Sequence, residues 1–108
     1  MPCWLWSDAP IVSALLEIAK KTYDENKKVY YENTAVKIAN VLINQQIMEK
    51  ENKHFGALVS RYRYYRNTNK PFDCLLGPND SSFIIKWALL PLYSYTKKKI
   101  LKKDLNLH

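Results

Sequence analysis

Apolar residues recur at helical spacing along most of this chain. Between residues 10 and 26, Ile11, Ala14 or Leu15, Ile18 and Thr22 repeat at a period of about 3.6, and Val12, Leu16, Ala19 and Tyr23 widen the stripe. An amphipathic helix is expected there, with Ser7 or Asp8 as its cap and Pro10 in its first turn, where a missing N–H costs nothing. Trp4 and Trp6 precede it and are expected to pack beneath it as a hydrophobic lid, the alternative being an exposed anchor for a partner. The polar residues 24–32 read as a turn or frayed helix end. Asn33 or Thr34 then caps a second helix running to about residue 52, with Val36, Ala39, Ile43 and Ile47 on its main apolar face and Ala35, Ile38 and Leu42 alongside.

A third helix is expected over about residues 53–67. Helical spacing gives Phe55, Leu58 or Val59, Tyr62 and Tyr65 to one face as core, and leaves Arg61, Arg63, Tyr64 and Arg66 around the others. Gly56 near its start marks a close approach to a neighbouring helix. Residues 67–82, with Pro71, Gly77 and Pro78, read as one long ordered loop pinned by Phe72, Leu75 and Leu76. Asp80 or Ser81 starts a fourth helix, in which Phe83, Ile84, Trp87 and Leu90 are expected to bury on nearly all sides. Pro91 kinks that helix or separates it from a last one reaching about residue 103, and a basic tail begins near residue 96. The expected fold is therefore all-α: a compact bundle of four to five helices, with residues 1–108 forming a single domain.

Composition agrees with that pattern. At 47% hydrophobic residues, including eight tyrosines, three tryptophans and three phenylalanines, the 108-residue chain has enough apolar surface for a core. Two glycines and five prolines are few for the tight turns of a small all-β protein.

Charge changes the picture more. The net charge of +7 is unevenly placed. Residues 1–52 hold six lysines against seven acidic residues, a balance of −1, whereas residues 53–108 hold eight lysines and three arginines against three aspartates, a balance of +8. A one-sided positive field of this kind suits phosphates or an acidic surface.

Catalytic signatures are missing from the pattern. His54 opens the expected third helix and His108 ends the chain, so neither has a partner at catalytic spacing. Asp24 with Glu25, and Glu49 with Glu51, lie too close in sequence to face one another on a helix and read as solvated surface. Cys3 and Cys74 lack metal-site spacing, and no signal-peptide pattern opens the chain. Both are expected to be free thiols in a reducing intracellular compartment, cytoplasmic or nuclear with an organelle as the alternative, with no metal and no cofactor. The longest apolar run, residues 83–93, contains Lys86 and Pro91 and is about half of a membrane span.

Binding remains. Arg61, Arg63, Arg66, Lys70, Lys97, Lys98, Lys99, Lys102 and Lys103 are expected to form a phosphate-binding face, with Tyr64 exposed to stack on an unpaired base. The expected function is a non-catalytic basic helical protein contacting the backbone of RNA or DNA, as a small subunit of a nucleoprotein assembly. The alternative is an interaction module, an inhibitor or adaptor of the kind viruses, phages and parasites use, whose basic face docks on an acidic protein. A membrane partner is not expected, because the C-terminal stripe of Ile100, Leu101, Leu105 and Leu107 is short for lying on an anionic bilayer.

Overall fold

The structure is a computed structural model that describes residues 5–58, 61–62, 72–73 and 80–104. Its bulk is helical: α1 (Leu5–Lys20), α2 (Glu25–Asn44), α3 (Asp80–Ile84), a π-helical segment (Ile85–Leu89) and α4 (Leu90–Asp104). A two-residue antiparallel ladder joins β1 (Arg61–Tyr62) to β2 (Phe72–Asp73), with Arg61 opposite Asp73 and Tyr62 opposite Phe72. From Asp80 to Asp104 the helix is unbroken, so the expected four to five helices become three helical rods among the described residues.

The first two rods form a helical hairpin. Asp8 in the first turn of α1 and Lys20 in its last complement the helix dipole. Thr22 closes the end of α1 by donating its hydroxyl to the Ile18 carbonyl at 2.6 Å. Asp24 then caps α2, its carboxylate accepting from the N–H groups of Asn26 and Lys27 at 2.9 and 3.2 Å. A side chain in that position fills donors that every helix start leaves open, and this is why polar residues 25–32 begin a helix instead of forming the expected turn. Both helices bury the same spacing. Ala9, Val12, Leu16 and Ala19 face inward on α1, and Glu32, Ala35, Ala39 and Leu42 on α2. Intervals of three, four and three residues hold a narrow stripe against a neighbour, and the alanines let the axes come close.

Two expected faces are corrected here. Ile11, Ile18, Val36 and Ile43 are exposed, Tyr23 wholly so, while Val12, Leu16, Ala19, Ala35 and Leu42, expected only beside those faces, form the seam together with Ala39. The buried face lies about one position round each helix from the expected one, where alanines let the helices pack closely.

The third rod packs along this hairpin through Ile84 and Ala88, with Phe83, Leu89, Leu92 and Tyr95 partly buried beside them. Trp87 meets Ser13 in the middle of α1, while Lys98 and Lys102 lie beside Lys20 at its end and beside Glu25 and Lys28 at the start of α2, so the rod runs parallel to α1 and antiparallel to α2. Pro91 neither kinks the rod sharply enough to end it nor starts a separate helix. The turn before it is π-wound instead, the Leu90 N–H reaching back to the Ile85 carbonyl. Because Pro91 has no N–H, the Trp87 carbonyl loses the partner an α-helix would give it, and the Ser13 hydroxyl donates to that oxygen from α1. Trp87 is 39% exposed and Leu90 57%, so neither is surrounded on all sides as expected.

The expected third helix does not form over the described residues 53–58 and 61–62. Asn52 accepts from the His54 N–H at 2.8 Å, a local turn that competes with helix, and Gly56 adopts φ +89°. Gly56 is needed for that backbone conformation and not for close approach, since a Cβ there would meet nothing within 4 Å. An antiparallel bridge from Gln46 to Leu58 replaces the helix, with the Ile47 N–H on the Ala57 carbonyl at 2.9 Å and the Gln46 amide on the Gly56 carbonyl at 2.8 Å. Ile47 and Leu58 are buried by this turn, Phe55 is left half-exposed, and the Leu58 N–H donates to Ser81 on α3 at 2.9 Å. Tyr62 lies in extended backbone, while Tyr65, the lid residue Trp4, the cysteines Cys3 and Cys74, and most of the expected loop lie outside the described residues.

Candidate lysine-lined site

Where α1 ends and α2 begins, the last turns of α4 lie alongside. An open cavity of about 440 Å³ sits there, lined by Lys20, Glu25, Lys28, Tyr95, Lys98, Lys99 and Lys102. Each rod contributes for a local reason. Lys20 closes α1, where a cation meets the exposed carbonyl end of the helix. Lys28 precedes Glu32 by one turn on α2, and Tyr95, Lys98, Lys99 and Lys102 follow the spacing that puts residues on one face of α4.

Glu32 anchors two of the lining side chains from behind. It is only 9% exposed, and a carboxylate so placed needs partners. Tyr95 donates its hydroxyl to Oε2, and Lys99 donates to Oε1 at 2.9 Å. Burial pushes the Glu32 carboxyl up, but the hydrogen bonds from Tyr95 and Lys99, with the Lys99 and Lys28 charges, hold it below the ordinary carboxylate value. Burial and the bond to Glu32 push the Tyr95 phenol well above its ordinary value, so it stays a donor at physiological pH. Lys20 is paired to Glu17 at 2.9 Å, and that contact lowers the Glu17 carboxyl. Lys28, Lys98 and Lys102 form no ion pair among the described residues, which leaves three ammonium groups beside one cavity.

Of the residues expected to bind phosphate, Lys98, Lys99 and Lys102 come together at this cavity. Lys97 is on another face, its ammonium 5.9 Å from the centre of the Tyr93 ring, and Lys103 is exposed without lining the cavity. Arg61 lies on β1, and Arg63, Tyr64, Arg66 and Lys70 lie outside the described residues. Lys20, Lys28, Glu32 and Tyr95 escaped the sequence reading. The first three sit in the half of the chain whose net charge is negative, and only the hairpin topology carries them to the lysines of α4.

His54 is exposed in a turn, and no three metal-binding side chains cluster among the described residues. No helix among them is long and apolar enough to cross a membrane. The arrangement can attract and hold an anion: flexible ammonium donors on three sides, one of them pinned by a buried carboxylate. No protein-family model, curated protein or solved structure matches this chain.

Proposed function

We propose that this protein is a non-catalytic polyanion-binding module that holds the phosphate backbone of RNA or DNA, as a small subunit of a nucleoprotein assembly. The observation that carries the reading is the convergence of Lys20, Lys28, Lys98, Lys99 and Lys102 from three helical rods on one cavity. Unpaired ammonium groups held together repel one another, and a phosphate chain relieves that repulsion while releasing its own counterions. Tyr95 at the floor adds aromatic surface beside the charges.

Binding of a labelled single-stranded oligonucleotide, followed by fluorescence anisotropy across a salt series, tests it. Three unpaired lysines that each neutralise one phosphate give a slope of about −2 in log affinity against log salt. Absence of binding to single-stranded or duplex nucleic acid at low ionic strength would overturn the proposal.

One observation favours a second reading, docking of an acidic protein. Leu90, Tyr93, Ile100 and Leu101 are exposed along α4, and Tyr93, Thr96, Lys97, Ile100 and Leu101 line a shallow apolar depression of about 330 Å³. An acidic amphipathic helix matches that stripe and its lysine borders. Capture of one acidic protein that survives nuclease treatment supports this reading; capture lost with nuclease counts against it.

A further inference from the structure

The shape of the lysine site is more specific than its charge. Lysines that follow an extended backbone lie in a row along one surface, whereas Lys28 projects from α2, Lys98 and Lys102 from α4 and Lys20 from α1 around a single hollow. Its volume of about 440 Å³ falls within the range of about 300–1,000 Å³ typical of small-ligand pockets. Charge converging on one point favours phosphates joined directly to each other, because they bring several negative charges into a space that admits only one or two groups of an interior phosphodiester chain. Glu32 fits this arrangement. Behind the cavity wall, it engages Lys99 and Tyr95 and so leaves Lys28, Lys98 and Lys102 as the ammonium groups open to an incoming anion.

We infer that this cavity takes a di- or triphosphate group, supplied by the 5′ end of an RNA or by a free nucleotide or polyphosphate. The inference rests on the polyanion-binding reading and narrows it from a backbone to a phosphate cluster. Lys28, Lys98 and Lys102 hold the phosphate oxygens. Lys20 stays beside Glu17, and Glu25 on the rim disfavours an anion seated off centre.

The test uses the full chain in buffer free of divalent cations. Anisotropy is read on 3′-labelled single-stranded RNAs of one sequence, carrying either a 5′-triphosphate or a 5′-hydroxyl, with inorganic tripolyphosphate and orthophosphate as competitors. The triphosphate RNA is expected to bind at least about ten-fold tighter than the hydroxyl RNA, and tripolyphosphate to compete at least about ten-fold better than orthophosphate. Lys28→Ala with Lys102→Ala should erase both preferences. Lys37→Ala with Lys50→Ala, which removes the same charge away from the cavity, should leave them intact. Equal affinity for the two RNAs together with equal competition by the two anions overturns this inference and leaves the backbone reading standing. Tripolyphosphate bound in isothermal titration calorimetry of the same protein, with neither RNA bound, supports the phosphate-cluster site, assigns it to a free ligand and overturns the backbone reading. No binding of any of the four overturns both.

Discussion

Followed along each rod, the same buried stripe changes chemistry from one end of the helical assembly to the other. On α2 it runs from Leu42 through Ala39 and Ala35 to Glu32, with Lys28 one turn further on. On the third rod it runs from Ile84 and Ala88 past Leu92 to Tyr95, Lys99 and Lys102. At the apolar end Leu42 and Ile84 are fully buried beside alanines, and their value lies in contact area and close approach. At the other end the same spacing carries charged groups, and a helical face that could have been finished with leucine is finished with a buried glutamate and lysines. The difference teaches that the lysine end is not needed to close the core. It keeps like charges beside one another, the arrangement on which the proposed anion-binding role rests.

That contrast can be broken most directly at the apolar end. Ile84 is fully buried where the third rod meets the hairpin. Ile84→Ala is expected to cost about 2–5 kcal/mol in urea unfolding, from lost transfer energy plus the void left behind. Polyanion affinity measured where the variant is still folded should not change. A cost below about 1 kcal/mol would place Ile84 outside a packed core and remove one side of the comparison.

Glu32 stands at the junction, and its loss should cost less. Glu32→Ala leaves the Tyr95 hydroxyl and the Lys99 ammonium without their shared acceptor, for about 1–3 kcal/mol. The pH dependence has a definite sign. The native Glu32 carboxyl titrates below its ordinary value of 4.5, so across that range the unfolded chain binds the proton and the folded chain does not. Its stabilising contribution is therefore complete above the ordinary carboxylate range and is lost as pH falls through the depressed native value. The stability gap between the parent and Glu32→Gln should narrow as pH is lowered from about 6 to about 3. A gap that stays constant over that range would mean that the Glu32 charge adds nothing to the fold.

How much of this was legible in the sequence differs between the two ends. Helical class and the start of the third rod near Asp80 follow from apolar spacing and punctuation, whereas α1 starts and ends about five residues earlier than the spacing predicts, with Ser7 and Asp8 inside it and not capping it. The stripes on α1 and α2 are wide enough in sequence to include Ala19, Ala35 and Ala39, but spacing alone does not say which edge of each stripe turns inward, and Ile11, Ile18, Val36 and Ile43 lie at the exposed edge. Glu32 looked like a turn residue: nothing in residues 24–32 signals that Tyr95 and Lys99, more than sixty positions away, will satisfy it. At the lysine end, Lys98, Lys99 and Lys102 were legible as charge, but Lys20 and Lys28 were hidden by averaging over halves of the chain. The Arg61–Tyr62 stretch was misread because helical spacing was carried through Asn52 and Gly56, whose local turn geometry stops a helix.

Ser13 sharpens the comparison from the apolar side, with a smaller effect. It supplies the partner that Pro91 denies to the Trp87 carbonyl, at a partly exposed position. Ser13→Ala is expected to cost about 0.5–1.5 kcal/mol, the net worth of a hydrogen bond whose acceptor can still find water. Pro91→Ala restores an N–H at the position from which an α-helix serves the Trp87 carbonyl. In that background Ser13→Ala should cost measurably less. Equal cost in both backgrounds would detach the hydroxyl from the proline and leave the π-helical segment without this explanation.

The smallest change in stability belongs to the lysines, and it is the most telling. Lys28 and Lys102 have no ion-pair partner among the described residues and lie at the cavity rather than in the seam. Lys28→Glu with Lys102→Glu is expected to stay within about 1 kcal/mol of the parent, because Lys102 is exposed and Lys28, half-buried, favours the Glu32 carboxylate by its charge without a direct ion pair. Relief of repulsion among the remaining lysines can even make the variant slightly more stable. Affinity for a phosphate chain should nevertheless be lost, since two attractive groups become repulsive and the salt slope collapses toward zero. Ile84→Ala and this double variant are thus opposites: one lowers stability and leaves binding intact, the other leaves stability intact and removes binding. If the double reversal unfolded the protein, the lysines would belong to its architecture. If it left binding unchanged, the phosphate contacts would have to lie on another surface of the chain.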